Sequence, residues 1–378
     1  LTTGSPGLMW MALSFLLVIG PLIFIHELGH YLVGRWCGVK ADVFSIGFGH
    51  EIAGWTDRRG TRWKIGWLPL GGYVRFAGDM NPAGQPSDEW LSLPAAERAR
   101  TFQAKPLWQR FLIVAAGPVT NLLFAVLVFC GFVLALGEPR TPPVVAVVEA
   151  GSAAEQAGIR PGDRVVSIDG QSIGHFEDIG GLIIWRAGDE LAVGLARDGR
   201  ALTVTARPKP KVERDRFGNE FRKGMLGIGP ARQVMEPVAL WEAPRAAVRL
   251  TWQIVTGTIE GLGQVISGRQ SLKELGGPLR VAKFSGEQAS LGPTAFIWFV
   301  AVISINLGFI NLLPIPLLDG GHLLFYTIEG IRRKPLKPEA QEWAFKTGLA
   351  ALLALMIFVT LNDLTSFGLW SKLGGLIG

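Results

Sequence analysis

Four long apolar runs decide most of what this chain can fold into. They cover about Leu8–Val33, Phe111–Leu136, Pro293–Leu313 and Ala344–Leu361, the last interrupted by one lysine near its start. At a rise of about 1.5 Å per residue, runs of this length suit helices that cross a hydrocarbon layer about 30 Å thick. Composition agrees: 49% of residues are hydrophobic and only 18% are charged, too apolar a balance for a soluble chain of this size. The formal charge of +6 does not indicate nucleic acid. The basic residues flank the apolar runs, zinc-finger spacing is absent, and no basic helix stands apart from a hydrophobic neighbour.

Charge also orients the spans. Between the first two lie Arg35, Lys40, Arg58, Arg59, Arg62, Lys64, Arg75, Arg98, Arg100, Lys105 and Arg110; between the last two lie Arg332, Arg333, Lys334 and Lys337. The positive-inside rule places both loops in the cytoplasm and both termini outside, with Gly137–Leu291 facing the exterior. The first run has no basic residues before it and no small-residue cleavage pattern after it, so it reads as a retained span rather than a secretory signal. Cys37 and Cys130 are too few for a disulfide framework and read as small apolar fillers.

Between spans one and two, Val43–Phe48, Thr61–Leu68 and Gly72–Phe76 read as short strands broken by Gly and Pro. Their apolar character beside a span suggests a sheet dipping toward the bilayer, tolerated there only if protein covers its backbone. In the exterior segment, strands at Val144–Glu149 and Arg164–Ile168, helices at Ala153–Ala157 and Phe176–Arg186, and a hairpin at Glu190–Ala206 make one compact soluble module. A polar linker follows from about Pro208 to Lys223. Ala239–Ile266 is amphipathic, and suits either the membrane surface or the flank of the module.

The chemistry sits at the end of span one, in His26-Glu27-Leu28-Gly29-His30. Positions i and i+4 share a helix face, so both imidazoles can reach one zinc ion, and Glu27 beside them can take a proton from water at the metal. Two histidines and a glutamate are costly in an apolar helix unless they serve a function. A catalytic zinc site needs a third protein ligand and an open position. Asp319, in Asn311-Leu312-Leu313-Pro314-Ile315-Pro316-Leu317-Leu318-Asp319-Gly320-Gly321-His322, is the best candidate. His322 is its rival, and a helix cap is the plainer role for the aspartate. Asn121, in Gly117-Pro118-Val119-Thr120-Asn121 at the opening of span two, is another polar group among apolar neighbours. It suits a substrate or transition-state contact, or a fastening between spans. His50 and His175 have no partner pattern and read as surface groups.

Taken together, His26-Glu27-x-x-His30, Gly117-Pro118-x-x-Asn121 and Asn311–Gly320 resemble the site-2 protease family of intramembrane zinc metalloproteases. Within it, the chain is most similar to the branch typified by the bacterial regulator of sigma-E. Phe44–Gly49, Pro69–Val74 and Ser304–Gly321 extend the likeness over nearly the whole chain. The resemblance implies a polytopic α-helical membrane protein with four transmembrane helices, a membrane-associated β-element and an inserted α+β PDZ domain. It implies Zn2+ held by His26, His30 and Asp319, Glu27 as catalytic base, and Asn121 assisting with substrate or oxyanion. By the same likeness, residues 1–136 hold two spans and the β-loop, 137–210 a periplasmic PDZ domain in a single copy, 211–290 a linker and amphipathic segment, and 291–378 the last two spans.

The implied setting is a bacterial inner membrane, with the active site toward the cytoplasm. The implied substrates are single-pass membrane proteins already trimmed outside, such as an anti-sigma factor, with remnant signal peptides as a second class. Membrane lipid is the surrounding partner. A substrate segment unwound for cleavage could pair with Val43–Phe48 or Tyr73–Phe76. An inert membrane scaffold using its PDZ domain would not need Glu27. A zinc transporter would want a ladder of ionisable groups across the membrane, which the apolar spans lack.

Overall fold

The structure is a computed structural model that describes residues 7–78, 92–184, 186–214, 220–268 and 276–366. These form two compact units: one from the residues up to Gly131 together with those from Pro244 onward, the other Phe132–Ala243.

The first unit is helical. Its long apolar helices are α1 (Leu8–Trp36), α2 (Leu107–Leu136), α5 (Pro293–Leu312) and α7 (Pro338–Ser366). All four are long and apolar enough to cross a membrane. Large apolar side chains point away from the protein's own packing, as with Leu127 at 71% and Ile357 at 60% exposure. Such surfaces belong in lipid rather than water, and the chain is a multi-pass membrane protein. Between the spans lie α3 (Ala243–Ile266), α4 (Pro278–Ser290) and α6 (Asp319–Arg332).

Helix α4 lacks a long apolar run, and the sequence reading passed over it. A buried carboxylate holds its N-terminus: Asp363 on α7 accepts from the backbone amides of Gly277 at 3.2 Å and Arg280 at 3.0 Å. These satisfy amides that no helix can bond internally. On α1, the Trp10 indole donates to the Gly286 carbonyl at 3.2 Å.

The loop after α1 is one long antiparallel β-element, β1 (Ala41–Thr56) with β2 (Arg62–Phe76). The inner half of β1 is bordered on both sides: Phe44 faces Val74 and also Trp63, while Ile46 faces Gly72 and also Ile65. Within the Val43–Phe48 stretch, Val43–Ile46 is thus a central strand bordered on both sides, whereas Gly72–Phe76 lies at an edge. That corrects the expectation that either could receive a partner, since alternation of side chains does not tell a middle strand from an outer one. Aromatic packing docks the element on α1. Phe44 stacks on Trp63 at 4.2 Å and meets Phe24 and Tyr31 edge-on at 5.7 and 5.8 Å. At the hairpin turn, Asp57 accepts from the Trp63 indole at 3.1 Å and from the Tyr31 hydroxyl at 3.4 Å.

The second unit packs a four-stranded sheet, in the order Gln171–Ser172, Arg164–Ile168, Leu191–Arg197, Arg200–Ala206, with the helix Phe176–Ile183. Val145, Ile159, Val165, Ile168, Ile179, Leu191, Val193 and Leu226 are among its buried core. The stretch read as a polar linker differs. Lys209–Arg214 and Glu220–Met225 pair as antiparallel strands, residues 215–219 between them lying outside the described residues. Leu226 then enters the core, and the unit runs on to Ala243 rather than ending near 210.

Candidate metal centre

On α1, His26 and His30 lie one helical turn apart on the same face, both almost buried. Helix α2 crosses α1 very closely at this level. A Cβ on Gly29 would stand 2.3 Å from Thr120 Oγ1 and 2.5 Å from the Ala116 carbonyl. One turn along, a Cβ on Gly117 would stand 2.2 Å from His30 Nε2 and 2.9 Å from His26 Nε2. Hydrogen at these two positions lets the helices meet and leaves the ring nitrogens room. The sequence placed Gly117 and Pro118 at the opening of span two; α2 begins ten residues earlier, at Leu107, so the motif lies well inside the helix.

Asp319 arrives by a sharp reversal after α5. Leu317 has a positive φ of 84°. Gly320 and Gly321 press on the carbonyls of Leu313 and Ile315, where a Cβ would stand at 2.2 and 2.5 Å. Asp319 is the first residue of α6, but the cap position belongs to Leu318, and no side chain caps the helix there. The carboxylate turns instead to the histidines. Its Oδ2 is 3.1 Å from His26 Nε2 and 3.5 Å from His30 Nε2, and the two Nε2 atoms are 3.3 Å apart. Despite those distances, Oδ2 is buried without a hydrogen-bond partner among the described residues.

This triangle fits a zinc ion. Bonds of about 2.0–2.1 Å in tetrahedral array hold ligand atoms about 3.3 Å apart. The chemistry of the donors agrees. His30 Nδ1 is 2.8 Å from the Ile113 carbonyl, so it carries that ring's proton and leaves Nε2 as a lone pair. An imidazole lone pair and a carboxylate oxygen facing each other in a buried site call for a cation between them. His26, His30 and Asp319 are the one such group of ligand atoms among the described residues.

A cavity of about 610 Å³ adjoins the triangle, lined among others by Glu27, Gly72, Tyr73, Val74, Asn311 and His322. That volume admits water to a site set within apolar helices. Glu27 is 7% exposed and lines the same cavity as Val74 of the edge strand. A Cβ on Gly72 would stand 2.9 Å from Glu27 Cγ, so the strand and the glutamate are in contact. His322 packs its ring toward Phe345 at 5.1 Å and Tyr326 at 6.4 Å, outside the ligand triangle. Asn121 lies beside His26, with its Nδ2 3.2 Å from His26 Nδ1.

Elsewhere, His50 is exposed on the β-element, and His175 stands at the N-cap of a helix in the second unit. Both cysteines are free thiols. Ser304 and Gly308 of α5, which fall within the stretch of likeness but had no site role assigned from the sequence, press on Asn121 and its neighbours. Small residues four apart on an apolar helix were the available signal.

Comparison with known proteins agrees with this geometry. The model of peptidase family M50 matches residues 14–355. A protein of Agrobacterium fabrum, provisionally named a zinc metalloprotease, is 45% identical over 359 residues, covering 93% of this chain and 95% of its own length. A Rhizobium meliloti protein of the same provisional name is 42% identical over 356 residues, with 93% and 95% covered. Metalloprotease MmpA of Caulobacter vibrioides is 35% identical over 395 residues, with 98% and 99% covered. The chain belongs to peptidase family M50 and is a zinc-dependent metalloendopeptidase carried on membrane-spanning helices.

Proposed function

We propose that His26, His30 and Asp319 hold the zinc and that Glu27 is the catalytic base for cutting single-pass membrane proteins in or near their transmembrane segments. The observation that carries the reading is the triangle of three buried ligand atoms with Glu27 beside it and a cavity opening on both. Zinc held there supplies Lewis-acid polarisation of a scissile carbonyl and lowers the pKa of water. Glu27 takes the proton of the attacking water as the new C–O bond forms, then returns it to the amine as the C–N bond breaks.

A helical substrate must unwind before its carbonyl can be reached, and its freed backbone groups need partners at that depth. The Gly72–Phe76 edge supports strand addition beside the site: Gly72, Tyr73 and Val74 line the cavity, and the central strand behind them is already paired.

The second unit is read as a PDZ domain on the periplasmic face of a bacterial inner membrane, with the metal site toward the cytoplasm. The basic loops support that orientation. Such a domain would exclude substrates until their outer parts are shed. An anti-sigma factor is the proposed substrate, and remnant signal peptides a second class; the likeness to the regulator of sigma-E supports the first. The test compares the purified parent with Glu27→Gln on a trimmed single-pass substrate. Loss of at least a hundredfold in cleavage, with zinc retained, is expected. Equal cleavage by both proteins would remove Glu27 from the role of base.

A further inference from the structure

Asn121 is 0% exposed, and the cavity wall is built from other residues. A side chain so enclosed is poorly placed to meet a substrate carbonyl. Among the described residues, the one side-chain neighbour of its carboxamide in hydrogen-bonding range is His26 Nδ1, on the far side of the ring from the metal triangle. Its Oδ1 is buried and has no hydrogen-bond partner among the described residues.

With Nε2 of His26 a metal ligand, the ring's proton must sit on Nδ1. The amide NH2 would then face an N–H, donor against donor. Rotating the carboxamide by half a turn, an assignment that hydrogen-bond logic decides, puts Oδ1 where it accepts from Nδ1–H. The count of unpaired buried groups is unchanged by the rotation, while the conflict with the ligand form of His26 disappears.

The asparagine is held in place from behind. Ser304 of α5, also 0% exposed, donates through Oγ to the Asn121 main-chain carbonyl at 2.8 Å. A Cβ on Gly308 would stand 2.9 Å from the Pro118 carbonyl and 3.3 Å from Asn121 Cβ. The α5 backbone therefore presses α2 into register with α1 at this residue.

We infer that Asn121 is a positioning residue for the metal centre: its carboxamide oxygen accepts the Nδ1 proton of His26, setting that ligand's tautomer and ring orientation. The inference rests on the zinc site proposed above. It replaces the substrate or oxyanion contact expected of Asn121 from the sequence.

The test measures zinc affinity by chelator competition, and cleavage at saturating zinc, in the parent, Asn121→Leu, Asn121→Asp and His26→Ala. Loss of the acceptor in Asn121→Leu should weaken zinc binding about 10- to 100-fold, with cleavage largely restored once zinc saturates. Asn121→Asp keeps an acceptor and should stay within about threefold of the parent in zinc affinity, with cleavage retained. Unchanged zinc affinity in Asn121→Leu would overturn the inference. If that variant does not fold, Asn121→Asp decides alone: zinc kept but cleavage lost about a hundredfold or more would mark a transition-state contact instead. Parent-like zinc affinity in His26→Ala would refute the site itself, and this inference with it.

Discussion

Gly117→Ala is the smallest change that reaches the metal centre. Its Cβ would stand 2.2 Å from His30 Nε2 and 2.9 Å from His26 Nε2. Ordinary contact needs about 3.5 Å, so the His30 ring or the α2 backbone must give way by about 1.3 Å. Metal–ligand distances tolerate only about 0.2 Å, and the His30 ring is further tied to the Ile113 carbonyl on the same helix as the new methyl. Overpacking of this kind costs about 1–3 kcal/mol. Charged to metal binding, that is roughly 5- to 150-fold in zinc affinity. The assay is chelator competition on purified protein in detergent, with Gly131→Ala as the control: it lies on the same helix, with nothing within 4 Å of its would-be Cβ. The control should bind zinc as the parent does. Parent-like affinity in Gly117→Ala would refute the claim that this glycine makes room for the ligands.

Gly72→Ala places its methyl 2.7 Å from Ile23 Cγ2 and 2.9 Å from Glu27 Cγ. It should lower kcat about 10- to 100-fold by displacing the base while leaving zinc content unchanged, read from kinetics and metal analysis on one preparation. In the second unit, two hydrogen bonds from Arg197, opposed by burial and reinforced by the Arg160 amide, hold the Asp163 carboxyl below the usual carboxylate range. A depressed pKa contributes stability that is present above about pH 4 and lost as pH falls through the folded-state value. The opening free energy of that unit, read from hydrogen exchange corrected for intrinsic rates, should therefore fall more steeply on acidification in the parent than in Asp163→Asn.

What the sequence made legible were signals written along one dimension. Span lengths, the i and i+4 spacing of His26 and His30, and the glycine-rich turn at Gly158–Asp163 all survive a reading without coordinates. Non-local features do not. As text Asp319 is the better candidate but His322 rivals it; the reversal at Leu317 and the contacts of Gly320 and Gly321 send one to the triangle and the other against Phe345. Lys209–Arg214 reads as a linker because four of its six residues are charged and it has no apolar run; backbone pairing with Glu220–Met225 supplies what the pattern lacks. Helix α4 carries no run of apolar residues, being held by Asp363 from a distant part of the chain. Asn121 was visible as an unusual polar residue, but its neighbour His26 is 95 positions away.

The most direct test of the account is zinc stoichiometry and coordination by X-ray absorption, in the parent and in His30→Ala and Asp319→Ala. One zinc per parent chain is expected, bound by nitrogen and oxygen at about 2.0–2.1 Å, with loss of tightly held metal in both variants. Sulfur ligation, or full zinc occupancy after removal of either side chain, would contradict it.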